Sequence, residues 1–144
     1  MTPSLVFQFS NAAALLGWGL LVVFPKSSLT QRLVHQGVLP LGLSLVYLVR
    51  VLLSFSVSDF QSFSTLEGVT QLFSRSEVVL AGWVHYLAFD LLIGAWIARD
   101  AHSRGFKPLG VVPVLLLTFY LGPVGFLSYA VLRTFRNRVP GASV

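Results

Sequence analysis

The run Trp83–Asp100, WVHYLAFDLLIGAWIARD, decides the fold. It is apolar enough and long enough to lie in a bilayer, where about 20 predominantly apolar residues make one crossing. Yet it carries His85, Tyr86 and Asp90 in mid-run. An ionised carboxylate near the centre of a membrane helix costs several kcal/mol, so such a residue faces a protein interior or a polar cavity, and marks function by default.

The rest of the chain agrees with a membrane setting. Of 144 residues, 55% are hydrophobic and only 10% charged, against about 25% charged in soluble domains. The mean hydropathy is +0.79. The length suits one compact unit. Without cysteine, disulfide and thiolate chemistry are excluded. The net charge of +5 comes from Lys and Arg at segment ends, which reads as topology and lipid-headgroup contact and argues against nucleic acid. The start, MTPSLVF, has neither the cationic region of a signal peptide nor the Arg- and Ser-rich character of a transit peptide. It is read as a retained span: a bacterial inner or photosynthetic membrane, or a plastid membrane if the protein is a mature plant form.

Four spans are expected, at residues 4–24, 39–57, 78–97 and 109–132, giving a single-domain, all-α bundle of four transmembrane helices. Pro25-Lys26 stops the first. Ser74-x-x-Glu77 reads as a capping box opening the third, with Ser76 as a competing cap. Pro113 and Gly122-Pro123 predict a fourth span bent or broken near Pro123. With four crossings, Arg75, Arg133, Arg136 and Arg138 share one side, and Lys26, Arg32, Arg99, Arg104 and Lys107 the other. That balance does not orient the protein. Residues 58–75 (SDFQSFSTLEGVTQLFSR) are too polar to cross and are read as a short interfacial helix between the second and third spans.

At 100° per residue, Trp83, Tyr86 and Asp90 share one face of the third span. His85, Phe89 and Trp96 fall about 140° away. Tyr86 and Asp90, at i and i+4, can hydrogen-bond. Both polar faces should meet other helices, leaving Leu87, Leu91 and Ala98 for lipid or tight packing. In the second span Arg50, with Tyr47 on its face, needs a partner; Asp90 is the expected one, at a depth offset of about 7–8 Å. Asn11, His85, Tyr86 and Arg50 fall at nearly one depth, with Tyr120 slightly deeper. Polar groups converging in an apolar shell suit a lipophilic-substrate site. Each also has a plain structural role: an ion pair fixing register, interhelical glue, packing aromatics. Asp100 and His102 read as helix-end groups. His35 and His102 lie opposite His85, so no metal site is expected, and no nucleotide or hydrolase motif occurs.

HYLAFDLLIGAWIARDA (His85–Ala101), preceded by Gly82-Trp83, together with PVLLLTFYLGPVGFLSYAVLR (Pro113–Arg133), resembles the abscisic-acid-deficient-four family. These are small integral membrane proteins with a part in making the allenic carotenoid neoxanthin in plants, and with relatives in bacteria. The likeness covers the second half well and extends to Glu67-Gly68-Val69; the first span matches in character alone. The resemblance implies a carotenoid or other polyene as partner, beside membrane lipids. Epoxide-to-allene conversion is an isomerisation requiring no redox cofactor: an acid opens the epoxide, a base removes a proton from the neighbouring polyene carbon, and a dry slot protects the cation. In that scheme Asp90 transfers the proton beside Arg50, Tyr86 and His85 orient or relay, and Glu67 is a second acid at the mouth. Asn11 holds a substrate oxygen, while Trp83, Trp96, Phe89, Tyr47 and Tyr120 line the polyene. Cis–trans isomerisation could use the same groups. A non-catalytic carotenoid- or lipid-binding module assisting an enzyme is the alternative, and an oligomeric pore a third.

Overall fold

The computed structural model describes residues 2–136, and every regular element among them is helical. Helix α1 is Pro3–Val23; a short α2, Ser28–Thr30, runs through a π-helical turn, Gln31–His35, into α3, Val38–Ser54. A 3-10 helix, Val57–Ser64, and α4, Leu66–Leu72, precede α5, Ser76–Ser103. Helices α6, Pro108–Leu121, and α7, Pro123–Arg136, complete the chain. Among the described residues three helices are long and apolar enough to cross a membrane: Pro3–Val23, Ser28–Ser54 and Ser76–Ser103.

The 28-residue α5 is the central post. Ala81, Val84, Ala88, Leu91 and Ala95, all buried, form a seam at alternating spacings of three and four, the pattern that keeps one helix stripe facing its neighbours. Small residues on both partners allow close approach. A Cβ on Gly94 would fall 2.5 Å from the Trp18 ring, and one on Gly17 2.7 Å from Leu91. Leu87 and Leu91 are therefore core, not lipid-facing. By contrast α3 shows Leu41, Leu45, Leu48 and Leu52 outward, each at least half exposed. In water that stripe would be a liability, and against acyl chains it costs nothing.

The fourth expected crossing is where the architecture departs from the sequence reading. The break near Pro123 is present, but it is a reversal. Gly122 takes φ 33°, ψ −90°, a conformation that favours glycine, and Pro123 starts α7 without an N–H to offer the preceding turn. Tyr86 meets the C-terminal end of α6, while Trp96 contacts Phe126 and Tyr129, and Asp100 contacts Tyr129 and Arg133. Helix α6 thus climbs from the end of α5 to its middle and α7 returns. At 14 residues each, or about 21 Å at the α-helical rise, neither reaches across a hydrocarbon core of about 30 Å. Gly125 permits the turnback, since a Cβ there would collide with the Thr118 backbone.

This hairpin moves Arg133 to the end that holds Lys26, Arg32, Arg99, Arg104 and Lys107, with the α7 backbone carrying Arg136 there too. Arg75 remains at the opposite end, with Arg50 one turn inside it near Glu77; Arg138 lies outside the described residues. The even split expected for four crossings becomes a strong bias, and the positive-inside rule places the cation-rich end on the side from which the chain inserts.

Residues 58–75 form two short helices in place of the single one expected, divided at Thr65, which is extended and caps α4 by accepting from Gly68 N (3.1 Å). Arg75 closes the segment with two bonds to Asp59, both 3.0 Å, and one to the Ser54 carbonyl. The Ser74–Glu77 capping box does not form: α5 starts after Arg75 without a side-chain cap, and the Ser74 hydroxyl turns back to Gln71 O (2.6 Å). The box that does form joins Ser56 and Asp59, and the same Asp59 carboxylate also accepts from Arg75.

Candidate functional site

Asp90 sits near the middle of α5 and is 9% exposed. Its carboxylate faces the tip of the α6–α7 hairpin so closely that a Cβ on Gly122 would lie 2.7 Å from Oδ1. Its Oδ2 is buried without a hydrogen-bond partner. A broken helix at mid-depth presents two helix ends: the carbonyl end of α6 and the amide end of α7, whose partial positive charge favours an anion. Irregular backbone at such depth occurs where protein or a cavity covers it.

One turn earlier, the Tyr86 hydroxyl donates towards Phe119 O (3.2 Å) and Tyr120 O (3.3 Å). Tyr86 is also within side-chain hydrogen-bonding reach of Asp90, the i, i+4 contact expected from the sequence, so its hydroxyl sits between the carboxylate and the open end of α6. Trp83 stacks on Tyr86 at 5.5 Å, and its Nε1 donates to Asn11 Oδ1 (2.9 Å). Phe7 adjoins Trp83 at 6.0 Å, and Phe119 sits edge-on to Tyr120 at 4.8 Å. Asn11, Trp83, Tyr86 and Asp90 therefore do converge, along the α1–α5–α6 side. The Tyr120 ring itself is exposed; the group it brings to the site is its carbonyl.

The other expected residues separate from this cluster. Tyr47, His85 and Phe89 form a second group on the α3 side, with ring separations of 5.2 and 4.6 Å. Trp96 belongs to a third, against Phe126, Tyr129 and the Arg133 guanidinium, 5.7 Å above its ring. Glu67 is exposed on α4, beyond the start of α5 and about 20 Å from the depth of Asp90 by helix rise.

The expected Arg50–Asp90 pair is not formed. Arg50 Nε has no partner, and the carboxylate within its electrostatic reach is Glu77. The reason is angular: α3 packs on the His85–Phe89 face of α5, about 140° from Asp90. A long side chain can make up a depth offset, but it cannot pass through the helix. Arg50 instead lines an apolar groove of about 630 Å³ between α1 and α3, whose walls include Val6, Ala13, Leu43 and Val46.

Asp100, expected to be a helix-end group, is a hub. Its Oδ2 accepts from Tyr129 Oη (2.6 Å) and Arg104 Nε (2.7 Å) and lies 3.3 Å from Arg133 Nε. Tyr129 is fully buried, so this cluster fastens α7 to α5. Only the i, i+4 Asp100–Arg104 spacing announces it in sequence. Among the described residues no three His, Asp or Glu side chains come close enough to hold a metal.

With this geometry, comparison with known proteins is decisive. The profile described as ABA DEFICIENT 4-like matches residues 5–129. The chain belongs to the ABA DEFICIENT 4-like family. It is 27% identical over 141 residues to Protein ABA DEFICIENT 4, chloroplastic, of Arabidopsis thaliana, covering 93% of this chain and 63% of that protein. The chain thus spans less than two thirds of the length of this relative. No solved structure matches. The family match takes in the whole Asp90 cluster, the hairpin tip and Tyr129.

Proposed function

We propose that this protein is an integral membrane isomerase acting on a carotenoid or similar lipophilic polyene, with Asp90 as the proton donor and acceptor. One observation carries the reading: a buried carboxylate with an unpartnered oxygen stands at mid-depth beside a ladder of aromatic rings. Trp83 and Tyr120 are exposed along that ladder, so a polyene dissolved in the bilayer can lie against them without crossing water. Asp90 would protonate an epoxide oxygen and its carboxylate would then take a proton from the neighbouring polyene carbon. For cis–trans isomerisation it would protonate a polyene carbon and take a proton back from that same carbon after rotation, composition unchanged in both. Tyr86 and Asn11 would orient the polar end of the substrate; membership of a family tied to neoxanthin formation in plants supports an epoxide-to-allene reaction, with cis–trans isomerisation open to the same groups.

A second reading, a carotenoid-binding module without turnover, is favoured by the α1–α3 groove, which is apolar, about 630 Å³ and remote from Asp90. Purified protein is incubated with an epoxy-carotenoid or an all-trans polyene and followed for an isobaric product. Turnover lost in Asp90→Asn with pigment still bound supports the isomerase. Pigment retention without product from any polyene, and sensitive to Leu43→Trp in the groove, supports the module.

A further inference from the structure

A second cavity lies at the cation-rich end, enclosed by the C-terminal ends of α1 and α5, the turn after α1 and the start of α6. It measures about 440 Å³. Its polar lining is Lys26, Gln31, His35, Arg99 and His102, and its deeper wall includes Leu21, Val111 and Leu115. No carboxylate lines it. The acid nearest in sequence, Asp100, is turned to another face of α5 and committed to Tyr129, Arg104 and Arg133. Of the remaining acids, Asp59, Glu67 and Glu77 belong to the opposite end and Asp90 to the middle. Among the described residues the cations around this cavity are therefore uncompensated.

Free interfacial Lys and Arg commonly reach for headgroups without forming a site. Two features distinguish this cavity. Arg99 is not free: its Nη1 donates to the His35 carbonyl (2.6 Å), which holds the guanidinium at the rim with further N–H groups unspent. His35 Nδ1 is buried and has no partner, an arrangement costly to leave unmet. Donors converging at the mouth above an apolar throat fit one ligand class: a phosphate ester carried on a hydrocarbon chain. Basic pockets between membrane helices on the cytoplasmic side bind acidic headgroups by this logic.

We infer that this cavity is a binding site for the phosphate group of an anionic amphiphile, with Arg99 and Lys26 neutralising the charge, His35 and His102 available as further donors, and the first carbons of the chain seated against Leu21, Val111 and Leu115. The site stands apart from the Asp90 cluster and does not depend on the isomerase reading. Two sources share this chemistry: an anionic membrane phospholipid and a prenyl diphosphate.

The test is native mass spectrometry of the detergent-solubilised protein titrated separately with phosphatidylglycerol, phosphatidylcholine and farnesyl diphosphate. Phosphatidylglycerol or farnesyl diphosphate should be retained at least tenfold more than phosphatidylcholine, and whichever binds more tightly names the source. Lys26→Gln with Arg99→Gln should reduce that retention tenfold or more, while Arg75→Gln at the opposite end leaves it unchanged. Because Arg99 also ties two elements together, Lys26→Gln with His102→Gln, neither of which bonds the scaffold through its side chain, serves as a second variant and should lower retention several-fold. Equal retention of phosphatidylglycerol, farnesyl diphosphate and phosphatidylcholine, or an equal loss in Arg75→Gln, overturns the inference.

Discussion

The backbone of Gly122 is pressed against the carboxylate of Asp90, leaving no room for a β-carbon between hairpin tip and acid. Substituting Gly122 by Ala therefore adds a collision to a backbone conformation that non-glycine residues resist. The backbone part costs about 1–3 kcal/mol. The melting temperature in detergent should fall accordingly, and Asp90→Ala added to Gly122→Ala should recover part of the loss by removing the collision. A double variant less stable than the sum of the two singles would mean that the tip does not rest on Asp90.

Asp100 should act as the anchor of α7. Asp100→Asn leaves Tyr129 and two arginines short of an anionic acceptor, and hydrogen bonds to charged groups are worth about 1.5–3 kcal/mol each. Tyr129→Phe removes one such bond while sparing both arginines and should cost about 1.5–3 kcal/mol. In a double-mutant cycle followed by thermal melting, the two losses should be clearly non-additive. Strict additivity would refute a shared contact.

Exchanging the charges of Arg50 and Asp90 should not restore what either single reversal loses. The two residues lie on different sides of α5, so Arg50→Asp with Asp90→Arg should be no better folded than the worse single variant, scored by monodisperse yield in detergent. Recovery above both singles would restore the pair.

Acid should loosen the segment covering the opposite end of the bundle. The bond from the Ser56 backbone N–H, together with the Arg75 guanidinium, holds the Asp59 carboxyl below the usual carboxylate range. A group with a lowered folded pKa stabilises above its unfolded value, and that stabilisation disappears as pH falls through the folded one. Hydrogen exchange across residues 57–72 should therefore quicken below about pH 4 relative to the intrinsic rate. Arg75→Gln should quicken it at neutral pH and flatten the pH response.

The hairpin makes a topological prediction that the cysteine-free sequence makes easy to read. Single cysteines at Ser103 and Thr134 should react with an impermeant maleimide from the same side, and one at Ser62 from the other. Thr134 reacting with Ser62 instead would require a fourth crossing.

Much of this was legible in the chain. The apolar helices, the break at Gly122-Pro123, the helical cover after α3 and the shared face of Trp83, Tyr86 and Asp90 follow from hydropathy, turn chemistry and helical period. Hydropathy predicts four crossings where, among the described residues, three helices are long and apolar enough, and the Asn11–Trp83 bond has no local signal. The direction the chain takes after the break was not legible. A helix break tells where a chain bends, but whether it continues or doubles back depends on contacts such as Tyr129 with Asp100, which no local pattern encodes. The same gap underlies the Arg50–Asp90 expectation: rise along each helix brings the two near one another in depth, but no local pattern specifies that α3 covers the His85 face of α5. The alanine seam of α5 is present in the sequence as a 3–4 spacing, masked because alanine is only weakly apolar and adds little to the contrast between helix faces.

The short hairpin also bears on how the protein is made. Because α6 and α7 dip in and come back, residues 104–136 need never pass through a translocation channel. The single internal stretch that must be exported is residues 55–75, whose one cation, Arg75, is paired with Asp59. Insertion could finish by letting the hairpin slide in from the side of synthesis once α5 is in place, so that the tip meets Asp90 last.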